Sequence, residues 1–378
     1  MMREGWEYKK LGDCFYYIKN GANIKQKKDV DGYPITRIET LSGGVFNRDR
    51  VGYAGIHDLS KYAEYILESK DLLMSHINSK TYIGRTVEYK SSNKETIIHG
   101  MNLLRLKANL NIIDSTFFAY YTQSGDFKSK IARIRKDAVN QSSFAISDLK
   151  RFDIPLPPKS TQLAIVSELD KINELIRLKK EQLKDFDNLA QSIFYEMFGD
   201  HVENEKGWEV KKLGEVCDIF AGGDKPNDIK ATKDNEYIYP VIANGEGEKG
   251  ILGYTKKCRV IKNAVTIGAR GASIGNCRIV KDGFTPAIRL LTLIPSEKLD
   301  CPFLFYIVKG LDYKQNGAGQ AQLTVPNIKN ESFPLPPLPL QQLFAQRIEQ
   351  IEHQKSEVQK AIADLETLLA SRMQYWFE

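Results

Sequence analysis

Gly5-Trp6-Glu7-Tyr8-Lys9-Lys10-Leu11-Gly12-Asp13 returns as Gly207-Trp208-Glu209-Val210-Lys211-Lys212-Leu213-Gly214-Glu215, seven of nine residues identical at an offset of 202. A second duplication closes each copy: Ile154-Pro155-Leu156-Pro157-Pro158 matches Phe333-Pro334-Leu335-Pro336-Pro337 at an offset of 179. The same offset pairs Gln141 with Gln320, Leu149 with Ile328, Gln162 with Gln341, Leu189 with Leu368, Ser192 with Ser371 and Phe198 with Phe377. Self-similarity at a fixed spacing marks a repeated architecture. The chain therefore reads as unit, helix, unit, helix, with the first unit 23 residues longer than the second. Matching ends imply a shared architectural role; divergent middles imply that each unit reads something different.

Each helical segment follows a proline-rich stop, where proline costs little because the first-turn N–H groups are unpaired anyway. A 4-3 spacing selects Ile165, Leu169, Ile172, Ile176, Lys179, Leu183, Phe186, Ala190, Ile193 and Met197 in the first. In the second it selects Phe344, Ile348, Ile351, Lys355, Val358, Ile362, Leu365, Leu369, Arg372 and Trp376. Such a seam predicts coiled-coil packing. Helices of roughly 35 residues run about 50 Å, longer than a small domain is wide. Pairing of the two seams, antiparallel, is expected over separate packing of each on its own unit.

The 378 residues suffice for two or three domains, with 42% hydrophobic and 27% charged residues as in ordinary globular proteins. No apolar run reaches 18 residues and the first residues carry no apolar core segment, so neither a membrane span nor a secretory signal is expected. Five scattered cysteines without metal-ligand spacing fit reduced thiols, and a cytoplasmic location follows as an expectation. Net charge is +6; residues 1–150 carry 24 Lys/Arg against 17 Asp/Glu, and residues 201–333 carry 19 against 16. The two helical blocks are slightly acidic. Basic units favour a polyanionic partner through counterion release, although a small excess also serves solubility.

Within the second unit, residues 237–242, 250–254 and 264–267 read as strands broken by glycine turns. Gly268-Ala269-Arg270-Gly271-Ala272-Ser273-Ile274-Gly275 follows, where Arg270 and Ser273 could meet a phosphate or base edge. A plain β-turn is the rival reading; a P-loop or dinucleotide turn is excluded by the missing Gly-Lys-Ser/Thr ending and glycine spacing. The corresponding stretch of the first unit offers Ser75, His76, Asn78, Lys80 and Thr81. A second loop pair precedes the shared strand: Arg133, Arg135, Lys136, Asn140 and Gln141 in the first unit, Asn316, Gln320 and Gln322 in the second. Asn and Gln can pair bidentately with adenine, and Lys or Arg with phosphate or guanine. Residues 128–136 could alternatively be the solvated face of a helix; their charge density favours DNA. Lys25 completes the candidate set.

No catalytic constellation is legible. The five histidines lack Cys or carboxylate at zinc spacing, and neither a Gly-x-Ser-x-Gly elbow nor a Walker lysine occurs. The glycine-rich loop and Asn/Asp-Pro-Pro-aromatic tetrapeptide of amino-methyltransferases are missing too.

Together, Gly5-Trp6…Leu11-Gly12 and Gly207-Trp208…Leu213-Gly214, with Ile154–Pro158…Gln162 and Phe333–Pro337…Gln341-Gln342, each followed by a heptad helix, resemble the specificity subunit of type I restriction–modification systems. The resemblance spans essentially the whole chain. It departs at Gln162-Leu163, where the family usually has two glutamines, and at Asn140-Gln141, which lacks the glycines present before Gln320. What it implies is an α+β fold: two pseudo-repeated α/β target-recognition domains (1–153 and 201–332) separated by two long antiparallel coiled-coil helices (154–200 and 333–378). Each domain would read half of a split double-stranded DNA target. Two adenine methyltransferase subunits and restriction subunits would be the partners, bringing S-adenosylmethionine, ATP and magnesium; the chain itself would hold no cofactor or metal and catalyse nothing. A coiled-coil scaffold that does not bind DNA, and an orphan specificity subunit serving a methyltransferase alone, are the alternatives.

Overall fold

The computed structural model describes residues 5–25, 30–92, 95–139, 141–245, 247–311, 313 and 322–378. They form two compact units: Met1–Leu178 together with Ile362–Glu378, and Lys179–Ala361.

In unit 1 the strands are β1 (Glu7–Lys10), β2 (Phe15–Asn20), β3 (Leu72–Ser75), β4 (Ile77–Asn78), β5 (Thr86–Glu88), β6 (Leu103–Ala108), β7 (Lys136–Asp137), β8 (Ser142–Ser143) and β9 (Asp153–Leu156). Its helices are α1 (Ser115–Tyr121), α2 (Gly125–Ile134), α3 (Ile146–Lys150) and the first half of α4 (Lys159–Phe198). The central sheet runs β2-β6-β3-β5. Leu72, Leu73 and Met74 are wholly buried in it, as a continuous apolar run covered on both faces should be. Asp114 caps α1 by accepting from the Thr116 and Phe117 amides at 3.0 and 3.1 Å, satisfying donors that have no partner inside the helix.

Unit 2 repeats this plan with β10 (Glu209–Lys212), a short α5 (Leu213–Val216), β11 (Cys217–Ala221), β12 (Tyr239–Ile242), β13 (Ile251–Thr255), β14 (Ala264–Ile267), β15 (Cys277–Val280), β16 (Thr285–Pro286) and β17 (Leu291–Pro295). Helices α6 (Cys301–Gly310) and α7 (Val325–Asn330), strand β18 (Ser332–Leu335) and helix α8 (Leu338–Phe377) follow. Its central sheet is β11-β17-β14-β15, strand for strand the order of unit 1. The strands expected over 237–242, 250–254 and 264–267 are present as β12, β13 and β14.

The two duplicated sequence marks turn out to be one object. β1 pairs antiparallel with β9, setting Tyr8 opposite Pro155 and Lys9 opposite Ile154. β10 pairs with β18 likewise, setting Val210 opposite Pro334 and Lys211 opposite Phe333. Leu11 donates to the Phe152 carbonyl and Leu213 to the Glu331 carbonyl; bonded pairs alternate along such a ribbon, so Pro155 and Pro334 fall where an N–H would face away from the partner and no ladder bond is lost. Each ribbon feeds a 40-residue helix.

Gln162 explains how the helix is mounted. Its side chain is 1% exposed, accepts from the Asp114 amide at 2.7 Å and donates to the Ile112 and Pro157 carbonyls, both at 3.0 Å. In unit 2, Gln341 accepts from the Asp300 amide at 2.8 Å and donates to the Lys298 and Pro336 carbonyls. One amide thus ties helix start, proline turn and the loop before α1 or α6 together.

The seams pair as expected, and they also pack on the globular parts as the rival reading had it. In unit 1, Ile165 and Leu169 of α4 share a core with Phe377 of α8 and with Leu11, Phe117, Phe118 and Ile154. Phe377 lies 5.5 Å from Phe117, ring to ring, and Glu168 accepts from Arg372 and from Trp376 Nε1. In unit 2, Phe194 and Phe198 of α4 meet Phe344 of α8 at 5.6 and 5.3 Å, and Lys355 pairs with Asp187 at 2.8 Å. Within each unit the helix segments run antiparallel, and each seam also enters the globular core.

Candidate nucleic-acid interface

The loop after β3 and the loop after α2 are about 60 residues apart in sequence but form one surface in unit 1. A small sheet, β4-β8-β7, aligns Asn78 with Ser142 and Ser142 with Asp137, and beside that row Ile77 with Ser143 and Ser143 with Lys136. This brings together Asn78, Lys80, Arg135, Lys136 and Gln141. Lys80, Thr81, Lys136 and Gln141 are exposed; Asn78 and Arg135 are half-buried. Asp137, absent from the candidate set, organises them. Its carboxylate accepts from Ser142 Oγ at 2.6 Å and from Arg135 Nε and Nη2 at 2.7 and 3.2 Å, with Lys80 Nζ 3.2 Å away. These hydrogen bonds, Ser142 first, hold its carboxyl down at about 2.

Other candidates sit differently. Ser75 and His76 are buried, 1% and 6% exposed, so they support the loop from beneath. Asn78 Nδ2 donates to Ser75 Oγ at 3.0 Å, and burial lowers the His76 imidazole to about 4, leaving it neutral. Arg133 is exposed on α2, and Lys25 is exposed in the loop after β2. No described contact joins either to the small sheet. The charged run 128–136 is therefore partly helix α2, in which Lys130 is occupied by Asp126 and the Tyr121 hydroxyl. Asn140 lies outside the described residues.

In unit 2, Gly268–Gly275 is the hairpin loop between β14 and β15, the place that residues 76–85 hold between β3 and β5. Strand pairing equates Met74–Thr86 with Ile267–Cys277. That makes Gly84 the counterpart of Gly275, and both take the left-handed conformation, at φ +81° and +80°, which a side chain would strain. Arg270 is exposed and bridges antiparallel to exposed Gln322; Ser273 is half-buried. Asn316 and Gln320 lie outside the described residues. Asn244, not foreseen, fixes this loop by accepting from the Ala269 amide at 2.9 Å and donating to the Ile288 carbonyl at 2.8 Å. Ile288 and Arg289 are both left-handed, at φ +50° and +58°, a conformation that costs non-glycine residues roughly 1–2 kcal/mol each. Signals for these organisers were weak, because Asp and Asn in loops are commonplace.

A cleft of about 1350 Å³ in unit 1 is lined by Arg48, Lys80, Arg85, Glu88, Lys90, Lys128 and Arg135, and by Asp170, Glu174 and Arg177 of α4. At the equivalent place in unit 2, a smaller cavity of about 290 Å³ is lined by Gly275, Asn276, Arg278 and Lys309. Among the described residues no group of three or more His, Cys, Asp or Glu could hold a metal ion, and no helix is long and apolar enough to cross a membrane.

The model of the type I restriction modification DNA specificity domain matches this chain twice, at residues 3–185 and 205–367. The chain belongs to the type I restriction modification DNA specificity family. It is 31% identical to a Methanocaldococcus jannaschii protein provisionally named as the specificity subunit of type I restriction enzyme MjaX, covering 97% of this chain and 93% of that one. It is 24% identical to the MjaVIII specificity subunit of the same organism, over 97% and 92% of the two chains. Among solved structures, the S subunit of a type I restriction–modification system from M. genitalium matches with TM-score 0.60 at 15% identity, over 100% of this chain and 96% of that one. A second structure, from work on assembly of a type I R-M system, also gives 0.60 at 19% identity, over 100% and 99%. Each copy of the specificity domain ends inside a long helix, so the family unit includes the mount at Gln162 or Gln341 as well as the strands.

Proposed function

We propose that this chain is the DNA sequence-specificity subunit of a type I restriction–modification complex. The carrying observation is that two units of one strand order present, at one equivalent hairpin, different polar side chains: Asn78, Lys80 and Thr81 in one, Arg270 and Ser273 in the other. A common scaffold with unlike tips suits reading two unlike half-sites. In this reading residues 1–153 and 201–332 are the recognition domains, and residues 154–200 and 333–378 are spacers that set the gap and carry two methyltransferase subunits. Restriction subunits join that core, and the chemistry and its cofactors belong to the partners. DNA contacts fall to Lys25, Lys80, Thr81, Arg133, Arg135, Lys136, Asn140 and Gln141 with Asn78 in unit 1, and to Arg270, Ser273, Asn316, Gln320 and Gln322 in unit 2. Ser75 and His76 act beneath the loop.

Methylome sequencing of cells carrying the partner methyltransferase, with and without this chain, tests the reading. A split adenine-methylated motif should appear only with the chain. Exchanging residues around Asn78 and Gln141 should alter one half of the motif, and exchanging those around Arg270 the other half. A methylation pattern indifferent to the chain would favour a protein scaffold instead.

A further inference from the structure

One carboxylate sits inside the most basic part of unit 1. Asp137 is 43% exposed in its side chain, as is Lys80 at 67%. It engages two cations at once, Lys80 and Arg135, while Lys136 and Arg133 stand nearby in sequence without a described bond to it. A carboxylate facing a polyanion repels it, and a structural brace at this place could equally be neutral. Its pair with Lys80 is exposed on both sides and such a pair is weak, whereas Arg135, 18% exposed, is held by two bonds, so an incoming phosphate would release Lys80 first.

Resting on the reading of unit 1 as a DNA-contacting domain, we propose that Asp137 is an internal stand-in for a DNA phosphate, which holds Lys80 and Arg135 aimed but neutralised until the correct half-site seats a phosphate in its place. Three features support this. The carboxylate takes Arg135 through two parallel N–H bonds, the fork geometry by which guanidinium also holds phosphate. It belongs to the same short sheet as Asn78, and Gln141 directly precedes the middle strand, so the register of the base-reading side chains and the position of the cations are coupled. Both Lys80 and Arg135 line the large cleft, where a backbone could reach them. Asp137 is thus a specificity-determining residue that lowers affinity for non-target DNA.

The test uses the full-length chain with three duplexes: the target from the methylome, one with the unit 1 half-site scrambled, and one with the unit 2 half-site scrambled, titrated across salt concentrations. Asp137→Asn should tighten binding to the duplex scrambled at the unit 1 half-site at least threefold at low salt. Its log K against log salt slope on that duplex should steepen by about one to two, because each added phosphate contact contributes about 0.9. Discrimination at the unit 2 half-site should not change. Lys80→Ala alone should make the slope shallower by about one on the target and leave it unchanged on the duplex scrambled at the unit 1 half-site; this variant keeps the proposal testable if Asp137→Asn fails to fold. Asp137→Asn that weakens all duplexes with an unaltered slope, or that behaves as the parent, overturns the proposal. Absence of target preference in the parent protein would instead defeat the DNA-specificity reading, and is seen before any substitution is made.

Discussion

Gln162 and Gln341 show how much one buried amide can organise. Replacing either by alanine strands the amide of Asp114 or Asp300 and two carbonyls. A buried donor left without its acceptor costs about 1–3 kcal/mol, so each variant should lose about 2 kcal/mol of stability, read as a lower urea midpoint, while exposed Gln342 replaced by alanine should shift it little. His99 offers a second residue-level expectation. Its Nε2 donates to the Leu103 carbonyl at 3.0 Å, and burial lowers it from 6.5 to about 3, as it lowers His76 to about 4. Both are neutral when folded and bind a proton on unfolding below pH 6.5. Their contribution is therefore complete above pH 6.5 and is lost as pH falls, toward 4 for His76 and toward 3 for His99, by about 1.4 kcal/mol per pH unit for each. Melting temperatures should fall from pH 7.5 to pH 5, and replacing both histidines by glutamine should flatten that dependence.

At the scale of elements, the proposed spacer role makes a metric prediction. Inserting one heptad into α4 and one into α8 keeps both seams in phase and adds about 10 Å at 1.5 Å per residue. The unspecified gap of the methylated motif should lengthen by about three base pairs, with both half-sites unchanged; methylome sequencing reads this directly. The helices and the strands of unit 2 were legible in sequence because heptads, apolar runs and Pro-Pro stops are local signals; the duplicated ends were legible as marks, but their pairing into ribbons joins segments far apart in the chain and was not. The β4-β8-β7 sheet was not, since its strands are two residues each and their pairing is set by the fold around them. That residues 75–85 correspond to 268–275 was legible in sequence; that Gly84 matches Gly275, at an offset of 191 between those of the two ends, emerged only from the strand pairing.

For the whole molecule, charge is shared unequally: +7 over residues 1–150 and +3 over residues 201–333. If both units hold DNA, scrambling the half-site read by unit 1 should remove the larger part of the salt slope, and scrambling the other the smaller part. Equal losses would show that net charge is a poor guide to which cations face the duplex.

The glutamine mount has an evolutionary corollary. Its partners at Asp114, Ile112 and Pro157, and at Asp300, Lys298 and Pro336, are all main-chain groups. Substitutions at the hairpin tips therefore leave the alignment of shaft and blade alone. If the tips read DNA as proposed, such a chain could take on new target preferences by exchanging tips while the chassis stays in place.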